Sequence, residues 1–177
     1  MTDLTRLSEK VSIAVSEKAF VASHTRRVFS LGEGLCATLY ENQGAADFFH
    51  GQLKKLHAAV RVPEPKVLVP FVFFGEKKYA PVMEYISGLT LGEYVAGKKR
   101  LPLPVWQQLA EGIDKLKNAG FVIIDNALNR NVLVSEGALF FVDPEAYKSS
   151  AQLSWFARCW YCARTAVERS YYHALVK

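Results

Sequence analysis

Long apolar runs are missing from this 177-residue sequence. No stretch approaches the roughly 18 apolar residues that a membrane-spanning helix needs, so no transmembrane segment is expected. The opening Met1-Thr-Asp-Leu-Thr-Arg6 lacks the apolar core of a secretory signal, and a reduced, cytoplasmic setting is the expectation. Cysteine is scarce. Cys36, Cys159 and Cys162 are an odd set, which argues against a disulfide framework. Cys159-Trp-Tyr-Cys162 matches Cys-x-x-Cys but has no second pair and no nearby histidine set, so core packing is expected there rather than zinc or redox chemistry. His24, His50, His57 and His173 form no spacing suited to a metal or a general base. Internal repeats and low-complexity tracts are absent. Charge of one sign is only mildly in excess: 22 Lys and Arg against 17 Asp and Glu give +5, with a pI near 9.1. The short basic clusters Arg26-Arg27, Lys54-Lys55 and Lys98-Lys99-Arg100 read as solvated surface, so no nucleic-acid partner is expected. A nucleotide, an acidic protein or a membrane surface remains compatible with the charge.

What is present is the composition of a packed globular protein, 50% hydrophobic and 12% aromatic. The first 70 residues read as strands around one helix. Candidate strands are Val11 to Val15, Ala19 to Ala22, Arg27 to Leu31 and Gly34 to Tyr40. Gly44 to Val60 is a helix, with Phe48, Leu53, Leu56 and Ala59 as its apolar face. Val67 to Phe74, carrying Pro70, and Tyr79 to Glu84 are two further strands. The second half reads as mainly helical: Leu91 to Ala96, then Leu103 to Asn118 with Val105, Leu109, Ile113 and Leu116 on one face and Gly120 as its stop. Ser149 to Val176 reads as one long or broken aromatic helix. A strand-rich half followed by a helix-rich half indicates an α+β architecture rather than a doubly wound parallel sheet.

Residues 120 to 146 are the most informative. Asn131-Val-Leu-Val134 and Leu139-Phe-Phe-Val142 flank a turn containing Ser135-Glu-Gly137, so a small hairpin is expected, with Asn131 and Asp143 facing each other at its open end. Earlier, Pro81-Val-Met-Glu-Tyr-Ile-Ser-Gly-Leu-Thr-Leu91 ends a strand at the bulky Met83. The two stretches together resemble the protein-kinase and aminoglycoside-kinase superfamily, over residues 10 to 150. In that family an Asp is followed by an Asn before one strand of a hairpin, and a second Asp closes the other strand. The resemblance implies a two-lobed kinase-like fold, with a small antiparallel-sheet lobe over residues 1–84 and a truncated helical lobe over 85–177. It implies Met83 as gatekeeper, with the backbone of Glu84, Tyr85 and Ile86 facing an adenine. It implies Asn131 and Asp143 as ligands of Mg²⁺ bound with ATP. The truncation is similar to pared-down kinases among bacterial secreted effectors and lipopolysaccharide or small-molecule kinases.

The departures from the pattern are expected to decide function. The family places a Lys after an Ala-x step in the strand matching Gly34 to Tyr40, gripping phosphate and pairing with a Glu on the next helix. Strict spacing from Ala37 puts Leu39 there, a one-residue slip puts Thr38 there, and no Lys occurs in either register. The next helix offers Asp47 or Gln52 instead of a Glu. Ala22-Ser-His-Thr-Arg-Arg-Val28 replaces the glycine-rich loop, and Asp143-Pro-Glu replaces Asp-Phe-Gly. The catalytic base has two registers. Counting back from Asn131 gives Asn126, which leaves no carboxylate; counting forward from Gly120 gives Asp125, which keeps the chemistry open. The leading expectation is a pseudokinase that binds ATP and Mg²⁺ weakly and acts through a protein partner, with self-association through the aromatic last helix as one option. The alternative is an active atypical kinase, with Asp125 as base and Asn131 and Asp143 on Mg²⁺.

Overall fold

The computed structural model describes residues 4–18, 28–73, 75–124 and 127–176. The chain is α+β with antiparallel sheets. It divides into two compact units, Met1–Lys54 with Pro63–Tyr85, and Lys55–Val62 with Ile86–Lys177.

The first unit opens with helix α1 (Leu4–Lys18). A strand was expected at Val11 to Val15, on the β-branched residues there. The helix prevails because Leu7, Val11 and Ala14 recur at helical spacing and are buried, while Ile13 is exposed. The expected strand Ala19 to Ala22 lies outside the described residues. Strands β1 (Val28–Gly32), β2 (Leu35–Thr38), β3 (Pro65–Phe73) and β4 (Glu76–Glu84) form an antiparallel sheet in the order β1-β2-β4-β3. Pro70 is tolerated because β3 is an edge strand in this order.

The two sheet faces have separate jobs. Ala37, Val69, Phe71, Ala80 and Val82, with Leu35 and Leu39, pack against Leu7, Val11 and Ala14 of α1. Alternation sends Cys36, Thr38, Pro81 and Met83 to the opposite face. Helix α2 (Gln43–His57) is inserted between β2 and β3, and Asn42 caps it by accepting from the Ala45 N–H at 2.8 Å. Its buried face is Ala46, Phe49, Leu53 and Leu56, whereas the expected Phe48 is 48% exposed. Phe49 meets the Tyr40 ring at 5.5 Å, so α2 approaches the sheet from the Cys36 and Thr38 side.

In the second unit, β5 (Leu89–Thr90) leads into α3 (Leu91–Lys98) through a capping box. The Thr90 hydroxyl accepts from the Glu93 N–H at 3.2 Å, and the Glu93 carboxylate accepts from the Thr90 N–H at 2.9 Å. Helix α4 (Leu103–Asn118) buries Val105, Leu109, Ile113 and Leu116 as its spacing predicts, and Gly120 follows at φ +79°. Then come β6 (Phe121–Ile123), α5 (Ala127–Arg130), the hairpin β7 (Val132–Ser135) and β8 (Ala138–Phe141), β9 (Tyr147–Ser149) and α6 (Trp155–Ala174). Sheets β5-β7-β8 and β6-β9 show that this half is not purely helical. The last helix begins at Trp155 rather than Ser149, because Tyr147–Ser149 pairs with Phe121–Ile123. Strands of three residues are too short to reveal an alternating pattern.

Candidate functional site

In the first unit, β2 and α2 each carry one of the two buried polar side chains among the described residues. Thr38 is 3% exposed and Gln52 is 7% exposed. Thr38 lies on the sheet face that α2 covers, in line with Cys36, whose register partner on β4 is Met83. Leu39 faces the other way and packs with the cluster against α1. On α2, Gln52 stands among the buried Phe49, Leu53 and Leu56, while Asp47 is exposed. A buried amide and a buried hydroxyl thus occupy the facing surfaces of β2 and α2. Neither carries charge.

Met83 is 6% exposed and sits in the centre of the sheet. The groups after it are already engaged. The Glu84 N–H donates to the Glu64 carbonyl at 3.0 Å, and the Tyr85 N–H donates to the Gly34 carbonyl at 2.8 Å. The Glu84 carboxylate accepts from the Glu64 N–H at 3.2 Å, and its carbonyl accepts from the Cys36 thiol at 3.5 Å. Burial, with the Glu84 charge adding to it, pushes the Cys36 thiol up to about 11, so it remains a neutral donor. The Tyr85 ring is exposed, and Ile86 begins the second unit.

In the second unit the hairpin β7–β8 closes on Glu136 and Gly137, both with positive φ, as a two-residue loop of the primed type demands. Gln108 of α4 clamps this end. Its Nε2 donates to the Gly137 carbonyl at 2.9 Å, and its Oε1 accepts from the Leu139 N–H at 3.1 Å. Gly112, one turn further along α4, lets the Phe141 ring approach so closely that an added Cβ would meet it at 2.4 Å. At the open end, the register pairs Val132 with Phe141. Asn131 is therefore opposite Val142, which donates to its carbonyl at 2.8 Å, and Asp143 lies one residue beyond. The two share this end but are not cross-strand partners, a one-residue correction to the expected facing pair.

The backbone carbonyl of Asn131 also accepts from the Tyr147 hydroxyl at 3.1 Å. Tyr147 is fully buried and stacks edge-on to Phe141 at 6.1 Å. Burial first, and the charge of Asp143 second, push its phenol well above the usual range, so it stays a donor. Asp143 itself is exposed, adopts φ 54°, and accepts from the Glu145 N–H through Oδ1 at 3.4 Å. The left-handed conformation costs an ordinary L-residue roughly 1–2 kcal/mol. Among the described residues the other such non-glycines are Glu33 and Glu136 in hairpin turns and Lys99 at a helix end. Asp143 caps the short 3-10 turn Pro144–Ala146, and its bond to the Glu145 N–H is the local support that lets Asp adopt this conformation more readily than most residues.

Asp125 and Asn126, the alternatives for the base, lie outside the described residues, as do Arg26 and Arg27. The chain on either side of the first pair is anchored. The Ile124 N–H donates to the Ala146 carbonyl at 2.9 Å, Leu128 is fully buried, and Asn129 accepts from the Tyr172 hydroxyl at 3.1 Å. Gly92 of α3 makes room for this segment, since a Cβ there would come within 1.9 Å of the Asn129 amide oxygen. Sequence reasoning did not find Gln108, Tyr147 or Asn129, whose roles depend on partners 29, 16 and 43 residues away. Among the described residues no three His, Cys, Asp or Glu side chains cluster as a metal site. An amide and a carboxylate can contribute two oxygens to an ion such as Mg²⁺, which keeps several waters and takes the rest from phosphate. Cys159 and Cys162 are both exposed on α6, which corrects the expectation that they pack in the core. No helix among the described residues is long and apolar enough to cross a membrane. Comparison with known families finds no family model that matches the chain, and comparison with curated proteins finds no match.

Proposed function

We propose that the two units are the small and large lobes of a protein-kinase-like domain that has lost efficient phosphoryl transfer, and that it acts through a protein partner. The observation that carries this reading is that Thr38 and Gln52 are both buried and neutral. These are the positions where the resemblance calls for a phosphate-gripping Lys and its Glu partner. The sheet alternation favours Thr38 over Leu39 as the lysine's counterpart, since Leu39 points at α1. Neither a Thr nor a Gln offers a cation to a triphosphate. Each charge-assisted bond lost removes about 1.5–3 kcal/mol. The hinge is also poor in donors, because the Glu84 and Tyr85 N–H groups are used by the sheet. Adenine recognition there reduces to the Tyr85 carbonyl and the backbone of Ile86.

One observation favours the second reading, an active atypical kinase. Asn131 and Asp143 share the hairpin's open end, and Asp143 keeps its carboxylate solvent-exposed there. In that reading Asp125 accepts the proton of a protein or small-molecule hydroxyl, and Asn131 and Asp143 hold Mg²⁺ delivered with ATP. Labelled ATP with Mg²⁺ or Mn²⁺ separates the two. The pseudokinase reading expects no transfer to the chain or to generic acceptors, and no change with Asp125→Ala. Transfer by the wild type that Asp125→Ala lowers by about 10²–10⁴-fold establishes the second reading instead.

A further inference from the structure

Helix α6 carries two thiols that core packing does not explain. Cys159 and Cys162 stand three residues apart inside the continuous helix Trp155–Ala174, and both are exposed. Residues at that spacing are neighbours on a helix surface, with Cβ atoms about 5–6 Å apart. Ala163 and Ala166, one turn further on from each, are small and exposed, so nothing bulky covers the pair from that side. The spacing sorts the chemistry open to two thiols. A disulfide needs Cβ atoms about 3.5–4.5 Å apart, closer than an undistorted helix brings them. An ion between two thiolates asks for less. With metal–sulfur bonds of about 2.3 Å, the length for zinc, the sulfurs lie about 4.6 Å apart, within reach of two neighbouring side chains on an intact helix. Structural zinc and iron–sulfur centres draw on four ligands, and among the described residues no third His, Cys, Asp or Glu joins this pair. Two thiolates in line suit a soft monovalent ion that takes two ligands, and thiolates select Cu(I).

We infer that Cys159 and Cys162 hold one Cu(I) ion at the surface of α6, a site that stands apart from the nucleotide reading. On binding, each thiol releases its proton to solvent and forms one sulfur–copper bond. One Cu(I) and two thiols thus give a bis-thiolate of charge −1 and two free protons. The surroundings suit that charge. The exposed Arg158 lies one turn before Cys162. Cys162 also lines a groove of about 160 Å³ with Lys117 of α4 and with Arg169, whose guanidinium is paired with Asp114 at 2.7 Å. Glu168, the sole acidic residue of the helix, lies 3.8 Å from Arg164 and at 100° per residue falls on the other side of the helix from the two thiols.

The test uses the full chain with its thiols reduced, in oxygen-free buffer with ascorbate to keep copper monovalent. Cu(I) is titrated in the presence of bicinchoninate, whose coloured Cu(I) complex reports the ion that the protein does not hold. The expected result is one ion withheld per chain, with no change in sedimentation on loading. That ion is lost in Cys159→Ser and in Cys162→Ser taken singly. Both positions are exposed, so the variants keep the fold, which circular dichroism checks. Failure to withhold Cu(I) overturns the inference, as does an ion retained when both cysteines are replaced by serine. Loading that doubles the sedimenting mass, at one ion per two chains, overturns it in favour of a bridge between copies.

Discussion

The two units carry their polar side chains in opposite ways. In the first, the facing surfaces of β2 and α2 carry a hydroxyl and an amide, both buried. In the second, the open end of β7–β8 keeps an amide and an exposed carboxylate, with Asp143 capping the turn Pro144–Ala146. The first arrangement is what packing alone favours, because a neutral buried pair avoids the desolvation penalty of an ion pair. The second is not what packing favours. On the proposed reading a phosphate grip has relaxed into core while an amide and a carboxylate persist at the hairpin, so the hairpin by itself is weak grounds for catalysis.

The largest expected effect lies in the first unit. Thr38→Lys places an ammonium at a site that is 3% exposed and should destabilise the fold by about 3 kcal/mol or more. Adding Gln52→Glu should recover roughly 1–3 kcal/mol of that loss if the two side chains occupy a shared site. Denaturant melts of the four-member cycle measure the coupling, and strictly additive effects would show that β2 and α2 do not pair these positions. Next comes the closed end of the hairpin. Gln108→Ala removes two hydrogen bonds and leaves the Leu139 N–H without its partner, at a cost of about 1–3 kcal/mol. At the open end the contrast should be plain. Asp143→Asn should shift stability by no more than ~0.5 kcal/mol, since Asn tolerates positive φ and can still accept from the Glu145 N–H. It should nevertheless remove any Mn²⁺-dependent rise in melting temperature. A loss of stability as large as that of Gln108→Ala would make Asp143 a structural turn residue and nothing more.

The smallest effect is one of pH. His50 of α2 has a buried Nδ1 without a hydrogen-bond partner among the described residues. Burial, and then Lys54, hold its pKa below the ordinary 6.5, against the opposing pull of Asp47. The unfolded chain therefore takes up this proton at higher pH than the folded one. Its contribution to stability is complete above pH 6.5 and declines as pH falls below that value toward the folded pKa. Melts of wild type and His50→Gln between pH 7.5 and 5 should converge at the acid end. Parallel curves would show that His50 is not the group responsible.

The helices of the second half were legible because α4 repeats Val105, Leu109, Ile113 and Leu116 on one face and stops at Gly120. The hairpin was legible from Glu136-Gly137 between two apolar runs, and strand β4 from Tyr79 to Glu84. Helix α1 was not, because Val11-Ser-Ile-Ala-Val15 has strand composition and only tertiary burial of Leu7, Val11 and Ala14 selects the helix. For α2, spacing alone left Phe48 and Phe49 as rival inward positions, and the contact with Tyr40 selects Phe49. The direction of Thr38 and the anchoring of Asn131 by Tyr147 depend on pairings distant in the chain. Exposure of Cys159 and Cys162 was hidden for a related reason. Aromatic surroundings normally mark a core, and on α6 they mark a surface.

Nucleotide titration tests the central claim most directly. Calorimetry of the full chain with ATP, with and without Mg²⁺, is compared between wild type and Asp143→Ala. The account predicts binding that is millimolar or undetectable, with any residual Mg²⁺-dependent heat lost in the variant. Micromolar affinity that Asp143→Ala leaves unchanged would contradict it, because a site without a cation at Thr38 and without Asp143 lacks the two contacts the account assigns to a triphosphate.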